Sequence, residues 1–164
     1  MLFLLCGFIF INQCNAAPSK KHFTVDSSRH ITVQILNSFQ KRYPNITSEK
    51  WTATNEIFTA KFKDAHKRRI AYFNYNGEWL KTETRIMWSK NLPKTVLGAW
   101  KNSAYESWNF EYITKVDSTS GQPFFVLQMH KDWAPNGAIQ EDWRDVVKLY
   151  FSEDGKLIKK EQAP

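Results

Sequence analysis

Apolar residues near the start of the chain recur at helical spacing. Ile31, Ile35, Phe39 and Tyr43 fall every four residues, with Leu36 beside them and Gln34, Asn37, Lys41 and Arg42 on the wet side. That period places one apolar stripe on an α-helix. Asp26, Ser27 and Ser28 offer N-caps, and Tyr43-Pro44 ends the helix, because proline disfavours helical geometry in the residue before it. The period then changes to two. Trp51 to Asn55 reads as a first strand, and Glu56 to Lys63 sets Phe58, Ala60 and Phe62 against Thr59, Lys61 and Lys63. A charged turn, Asp64 to Arg69, leads into a hairpin from Ile70 to about Ile86. Its Asn76-Gly77 pair favours the positive φ values of a tight turn.

Met87 to Asn91 links this first half to a second helix. Leu92-Pro93 opens it, with Asn91 as a candidate cap and Val96, Ala99 or Trp100, and Ala104 as its apolar side. Gly98 lowers its propensity. Strands follow at Trp108 to Val116, Pro123 to His130, Trp143 to Phe151 and Lys156 to Glu161. The hairpin of the first half returns at the end of the chain. Aligning Gly77 with Gly155 also aligns Tyr72 with Tyr150, Phe73 with Phe151 and Glu83 with Glu161. Two hairpins of one design, each preceded by a helix, predict an internal repeat with halves at about 26–87 and 91–162.

The residues before the first helix form a different kind of segment. Leu2 to Ile11 is almost wholly apolar, and a small-residue site at Ala16-Ala17 follows. This reads as a secretory signal, residues 1–16, with the mature domain at 17–164. Lipid attachment at Cys14 is the alternative. Cys6 and Cys14 both lie in the export segment, so the mature chain holds no disulfide, thiolate metal site or cysteine nucleophile. No transmembrane span is expected after cleavage. The formal net charge of +7 favours anionic partners, while the export signal and the lack of an RNA-binding aromatic motif disfavour nucleic acid.

A search for chemistry finds little. No nucleophile elbow, metalloprotease helix or phosphate-binding glycine loop occurs, and His22, His30, His66 and His130 are scattered. No catalytic residue, metal site or cofactor is expected. The acidic cluster of Asp132, Glu141, Asp142 and Asp145 lacks calcium-loop spacing and reads as a solvated loop balancing Lys131 and Arg144. Two basic groups, Lys61, Lys63, Lys67, Arg68 and Arg69 in one half and Lys156, Lys159 and Lys160 in the other, read as solvated strand faces or as a footprint for a polyanion. The aromatics are more informative. Helices cover one face of an antiparallel sheet, so aromatics on both faces imply either two half-sheets packed together or an exposed recognition surface. Trp51, Trp79, Trp100 and Trp108 suit a core. Tyr75, Trp79, Trp133 and Trp143 are the candidate partner-binding residues.

Phe39…Tyr43-Pro44, Trp51, Phe58-Thr59-Ala60-Lys61-Phe62, Tyr72 to Trp79 and Leu92-Pro93 together resemble the beta-lactamase-inhibitor-like, PepSY-like family of exported bacterial proteins. The resemblance covers essentially the whole mature chain and lies in framework and turn residues. It implies an α+β fold, a tandem repeat of helix plus antiparallel β-sheet as in the beta-lactamase inhibitor protein. The chain departs from that pattern in a longer segment from Gln128 to Asp145 and in having no disulfides. The expectation is a periplasmic, non-enzymatic protein that binds a cell-envelope protein through its sheet face and the 128–145 loop, as inhibitor or adaptor. The alternative is a binder of anionic envelope glycolipid or polysaccharide through the basic strands. An enzyme built around His130 and Asp132 is a third reading, ranked last.

Overall fold

Val33–Arg42 form α1, whose N-cap is Thr32: the Ile35 amide donates to Thr32 Oγ1 at 3.3 Å. The earlier candidates Asp26, Ser27 and Ser28 lie outside the residues described. The structure is a computed structural model and describes residues 31–132 and 144–163. Ile35 and Phe39 are fully buried, and Lys41 and Arg42 in the last turn complement the helix dipole. Four strands follow: β1 (Glu49–Thr54), β2 (Ile57–Asp64), β3 (Lys67–Asn74) and β4 (Trp79–Ile86). A short 3-10 turn, Ser89–Asn91, precedes α2 (Lys94–Lys101). Four more strands complete the chain: β5 (Asn109–Ser118), β6 (Gly121–Asp132), β7 (Arg144–Ser152) and β8 (Leu157–Ala163).

The eight strands among the described residues form one antiparallel sheet in chain order. Of the two arrangements considered for the aromatics, half-sheets packed face to face are not formed; β4 and β5 pair directly, Thr82 opposite Asp117 and Ile86 opposite Ile113. Both helices lie on one face, because the side chains that meet them alternate with those that do not. Ala60 and Phe62 of β2 and Ala71 and Phe73 of β3 point to α1 and bury Ile35, Phe39 and Tyr43. Phe125, Leu127 and Met129 of β6 and Val147, Leu149 and Phe151 of β7 form a second core with Val96 of α2. Phe39 is the centre of the first. Its ring lies 5.2 Å from Tyr43, 5.3 Å from Trp51 and 5.2 Å from Phe62, in tilted or edge-on contacts. Each fully buried side chain of this size contributes about 1.5–3 kcal/mol. Trp51, Trp79, Trp100 and Trp108 are half-buried against these two cores.

Between the cores the helix-facing side chains are polar. Thr82 and Thr84 of β4 are buried there, and Lys115 pairs with Asp117 of β5 at 3.1 Å. The Tyr43 hydroxyl hydrogen-bonds Thr82, which also accepts from Trp79 Nε1 at 2.8 Å. The helix side is therefore two apolar cores joined by a polar seam.

Three expectations are corrected. The Asn76-Gly77 turn is not a two-residue turn with positive φ at both positions. Gly77 alone is left-handed (φ 77°), and its amide closes a turn on the Asn74 carbonyl at 3.0 Å. Asn74 Oδ1 accepts from the Asn76 and Glu78 amides, which favours this wider loop. The β7–β8 turn repeats it, with Gly155 at φ 87° bonded to the Ser152 carbonyl at 3.0 Å. Second, Pro93 rather than Asn91 occupies the α2 N-cap and no side chain caps that end. Third, α2 stops at Lys101, so Ala104 lies beyond its apolar side.

The two turn glycines seat the helices. A Cβ on Gly77 would lie 3.1 Å from the Gln34 carbonyl oxygen, in the first turn of α1. A Cβ on Gly155 would lie 2.6 Å from the carbonyl oxygen of Thr95, in the first turn of α2. Thr95 Oγ1 also donates to the Glu153 carbonyl at 2.5 Å. Gly98 has open space around its absent Cβ. Gly155→Ala combines left-handed strain with a backbone clash and is expected to cost at least about 2 kcal/mol. Gly98→Ala is expected to stabilise by about 0.8–1 kcal/mol through helix propensity. Urea denaturation of the two variants checks both signs.

Candidate functional site

The face away from the helices carries the groups most suited to recognition. Alternation brings Ile70 and Tyr72 (β3), Lys81, Glu83 and Arg85 (β4), Tyr112, Thr114 and Val116 (β5) to this face. Phe124, Val126 and Gln128 (β6), Lys148 and Tyr150 (β7), and Lys159 and Glu161 (β8) continue it. Arg68, Arg85, Tyr112, Phe124, Val126 and Tyr150 are among the residues lining a shallow hollow of about 660 Å³ at its centre.

Two matching triads hold this face in place. The Tyr72 hydroxyl donates to Glu83 Oε2 at 3.0 Å, Lys81 Nζ lies 2.6 Å from Glu83 Oε1, and the same ammonium sits 4.4 Å from the Tyr72 ring centroid. In the second half Tyr150 donates to Glu161 Oε2 at 2.6 Å, Lys159 pairs with Glu161, and its ammonium lies 5.7 Å from the Tyr150 ring. Each tyrosine stacks under a cation while its hydroxyl holds the carboxylate that the cation also holds. Burial, with Glu83 as like-signed neighbour and acceptor, pushes the Tyr72 phenol far above its ordinary value. The hydrogen bond to Glu161, then burial, pushes Tyr150 up to about 12. Lys159, then Tyr150, holds the Glu161 carboxyl below the usual range.

A third polar group lies at one end of the same face. Arg85 donates to the Glu111 carbonyl at 2.7 Å and stacks 4.5 Å over Tyr112. Gln128 Nε2 donates to Glu111 Oε2 at 2.6 Å, and Glu111 Oε1 lies 3.5 Å from His130 Nδ1. A bulge between Phe110 and Tyr112 turns Glu111 toward these partners. His130, the histidine of the third reading, thus sits beside Glu111; the side chain of Asp132 lies outside the described residues. Among the described residues, no group of three His, Cys, Asp or Glu side chains is placed to hold a metal ion, and no helix is long and apolar enough to cross a membrane.

The sequence-predicted residues separate. Tyr75 is 59% exposed in the β3–β4 turn. Trp79 is on the helix side, half-buried, with its N–H bonded to Thr82 and the Arg42 guanidinium 3.4 Å over its ring. Trp133 and Trp143 lie outside the described residues, as do Glu141 and Asp142. Lys131 and Asp145 stand opposite each other across β6–β7. The basic residues do not share a face: Lys61 and Lys63 alternate with Phe62, Arg69 turns to the helix side and pairs with Asp64 at 3.0 Å, and Lys160 lies 5.9 Å over Tyr105. Sequence reasoning missed Met87 and Trp88. They are 66% and 64% exposed in the segment between β4 and α2, and Met87 lines the central hollow. Exposure of adjacent Met and Trp was the available signal, since neither fits the period of the strand before or the helix after.

Among the described residues, an eight-stranded antiparallel meander with two helices on one face and an open opposite face makes a mostly β fold of beta-lactamase-inhibitor-like shape. Its solved relatives in shape bear this out. A BLIP-like protein from Bacteroides fragilis superposes with a TM-score of 0.69 at 27% identity, covering 80% of this chain and 86% of that one. A DUF2874 family protein from Bacteroides ovatus matches with a TM-score of 0.69 at 22% identity, covering 79% and 86%. A Bacteroides eggerthii protein provisionally described as periplasmic matches with a TM-score of 0.71 at 16% identity, covering 81% and 89%. No protein-family model and no curated protein sequence matches the chain.

The two phenols predict alkaline behaviour. A folded-state value above the unfolded value of about 10 means that the neutral phenol is favoured in the folded chain. That stabilisation is complete below about pH 10 and is lost as pH rises through Tyr150's folded value of about 12 and beyond it for Tyr72. Ultraviolet titration of phenolate absorbance is expected to show a phase near 12 from Tyr150. Tyr150→Phe is expected to remove the phase near 12.

Proposed function

We propose that this chain is an exported, non-enzymatic binding protein of the beta-lactamase-inhibitor-like, PepSY-like type, acting in the periplasm on a protein of the cell envelope. In this reading residues 1–16 are removed on export. The mature domain, 17–164, is a tandem repeat with halves at about 26–87 and 91–162. The matched Tyr-Lys-Glu triads and the matched turns against the two helices support the repeat.

The observation that carries the binding proposal is the open sheet face. Its aromatic and apolar side chains, Tyr112, Phe124, Val126 and Tyr150, lie beside Arg68 and Arg85, with Met87 on the same hollow. Aromatics and arginines are the residues that dominate protein interfaces. The triads and the Arg85–Tyr112 stack hold much of this surface rigid before a partner arrives, which lowers the entropy lost on binding. β6 ends at Asp132 and β7 begins at Arg144 at the end of the sheet where β4 passes into Met87 and Trp88, since Ile86 pairs with Ile113 and Asn109 with His130. Trp133 and Trp143, outside the described residues, are proposed contacts together with Trp88. Tyr75 is a further proposed contact, with Trp79 supporting its turn. Inhibition of an envelope enzyme is the sharpest form of the proposal, and the beta-lactamase-inhibitor-like shape supports it by analogy only.

The test is capture from the source organism's envelope fraction with mature protein from Ala17, read by mass spectrometry. One protein retained at physiological salt is expected, and Trp88→Ala or Tyr112→Ala is expected to weaken capture by at least about tenfold, as for interface anchors. Val33→Ala, on the helix side and exposed, is expected to leave it unchanged. Equal capture by all three variants would contradict the face assignment.

A further inference from the structure

The polar seam on the helix side opens into a second hollow, distinct from the proposed partner face. It has a volume of about 750 Å³, within the range of small-molecule sites. Its floor is Thr84, Lys115 and Phe125, and its walls are the β2–β3 turn and the segment from Ile86 to Pro93. The two walls differ in chemistry. Lys63, Lys67, Arg68, Arg85 and Lys115 bring five cationic side chains to a hollow whose lining has one carboxylate, Glu153. Opposite them, Ile86, Met87 and Leu92 present an apolar surface that meets Phe125.

Among the described residues, one neighbouring acid pairs with one of these five cations, which leaves the hollow with an excess of positive charge. Asp117 is engaged with Lys115 and Asp64 with Arg69. Among the described residues, Lys63, Lys67 and Arg68 have no carboxylate within ion-pair distance. Arg68 also acts on Arg85 as a like charge, adding to the burial that lowers the Arg85 guanidinium's affinity for its proton. Cations gathered in a concave, partly dry site favour an anion there, since low-dielectric walls strengthen the attraction. The turn that carries Lys67 adds to this picture. Ala65 and His66 both hold left-handed φ, 45° and 67°, a region that histidine tolerates and alanine does not favour. That strained geometry brings β3 back with Lys67 opposite Asp64 and Arg68 opposite Lys63.

We infer that this seam hollow binds a small amphiphilic anion, a phosphate- or sulfate-type group held by Lys63, Lys67 and Arg68 and carried on an apolar body that packs against Ile86, Met87 and Leu92. Such a ligand reaches the site as a soluble molecule or as the headgroup of an anionic lipid. Arg68, Arg85 and Met87 also line the open face, so an occupant of the hollow acts on side chains that the proposed partner would touch. The site itself does not rest on that partner.

Isothermal titration of the mature protein with n-octyl phosphate below its micelle concentration tests the site. One equivalent is expected to bind, at least about tenfold tighter than inorganic phosphate or n-octyl glucoside, because each probe lacks one half of the recognition. The double variant Lys67→Gln/Arg68→Gln is expected to weaken octyl phosphate by at least about tenfold through lost charge-assisted hydrogen bonds, with Lys159→Gln unchanged. Amide chemical shifts of the unmodified protein provide a second readout, with movement expected at Lys63, Lys67 and Met87. Competition by phosphatidylglycerol vesicles assigns the anion to a lipid headgroup; absence of competition, with octyl phosphate still bound, assigns it to a soluble amphiphile. No binding of octyl phosphate, equal affinity in the double variant, or shifts confined to other regions would overturn the inference.

Discussion

The contact on which the rest of this structure depends is between a hairpin turn and the first turn of a helix, made once in each half. Gly77 lies tight against Gln34, and Gly155 lies so close to Thr95 that the backbone of the helix occupies the space of a missing Cβ. This fixes where each helix begins on the sheet. The apolar stripe of α1 then falls on Ala60, Phe62, Ala71 and Phe73, and that of α2 on the residues of β6 and β7. Small Ala60 and Ala71 leave room for the Phe39 ring, which becomes the hub of the first core. With both helices on one face, the other face of an eight-stranded sheet is left for side chains that hold each other in place: tyrosine, lysine and glutamate in the two triads, and arginine over Tyr112.

The two cores do not merge, and this has consequences for function. β4 and β5 pair backbone to backbone, but toward the helices they present Thr82, Thr84, Lys115 and Asp117. A continuous apolar core would have closed the space between α1 and α2. The polar seam leaves a hollow between the β2–β3 turn and the segment that leads into α2, and the cations of that turn reach its rim. The open face and the seam meet at Arg68, Arg85 and Met87, so the molecule has two surfaces of different chemistry joined at one end of the sheet.

Much of the fold was legible because periodicity reports local geometry. The Ile31-Ile35-Phe39-Tyr43 spacing located α1, and the alternation through Phe62 located β2 and its inward face. The equivalence of Tyr72 with Tyr150 and Glu83 with Glu161 was visible as spacing before it was visible as two hydrogen bonds. The turn at Asn76-Gly77 was not fully legible, since its loop length depends on strand register and on Asn74 acting as acceptor. The face on which a tryptophan lies was also hidden where no period applies. Trp79 stands just before a bulge and turns to the helix side under Arg42, whereas Trp88, in a linker without a repeat, is exposed. The seam hollow could not be read at all, because it joins residues from β2, β3, β4, β5 and β6 that are adjacent only once the sheet is formed.

The central claim is that the helices occupy one face and the partner the other. Photo-crosslinking in the source cells tests it most directly, with p-benzoylphenylalanine placed either at Thr114 on the open face or at Asn37 on the exposed side of α1. The account predicts one discrete crosslinked protein from Thr114 and none from Asn37. A crosslink from Asn37 with none from Thr114 would contradict it.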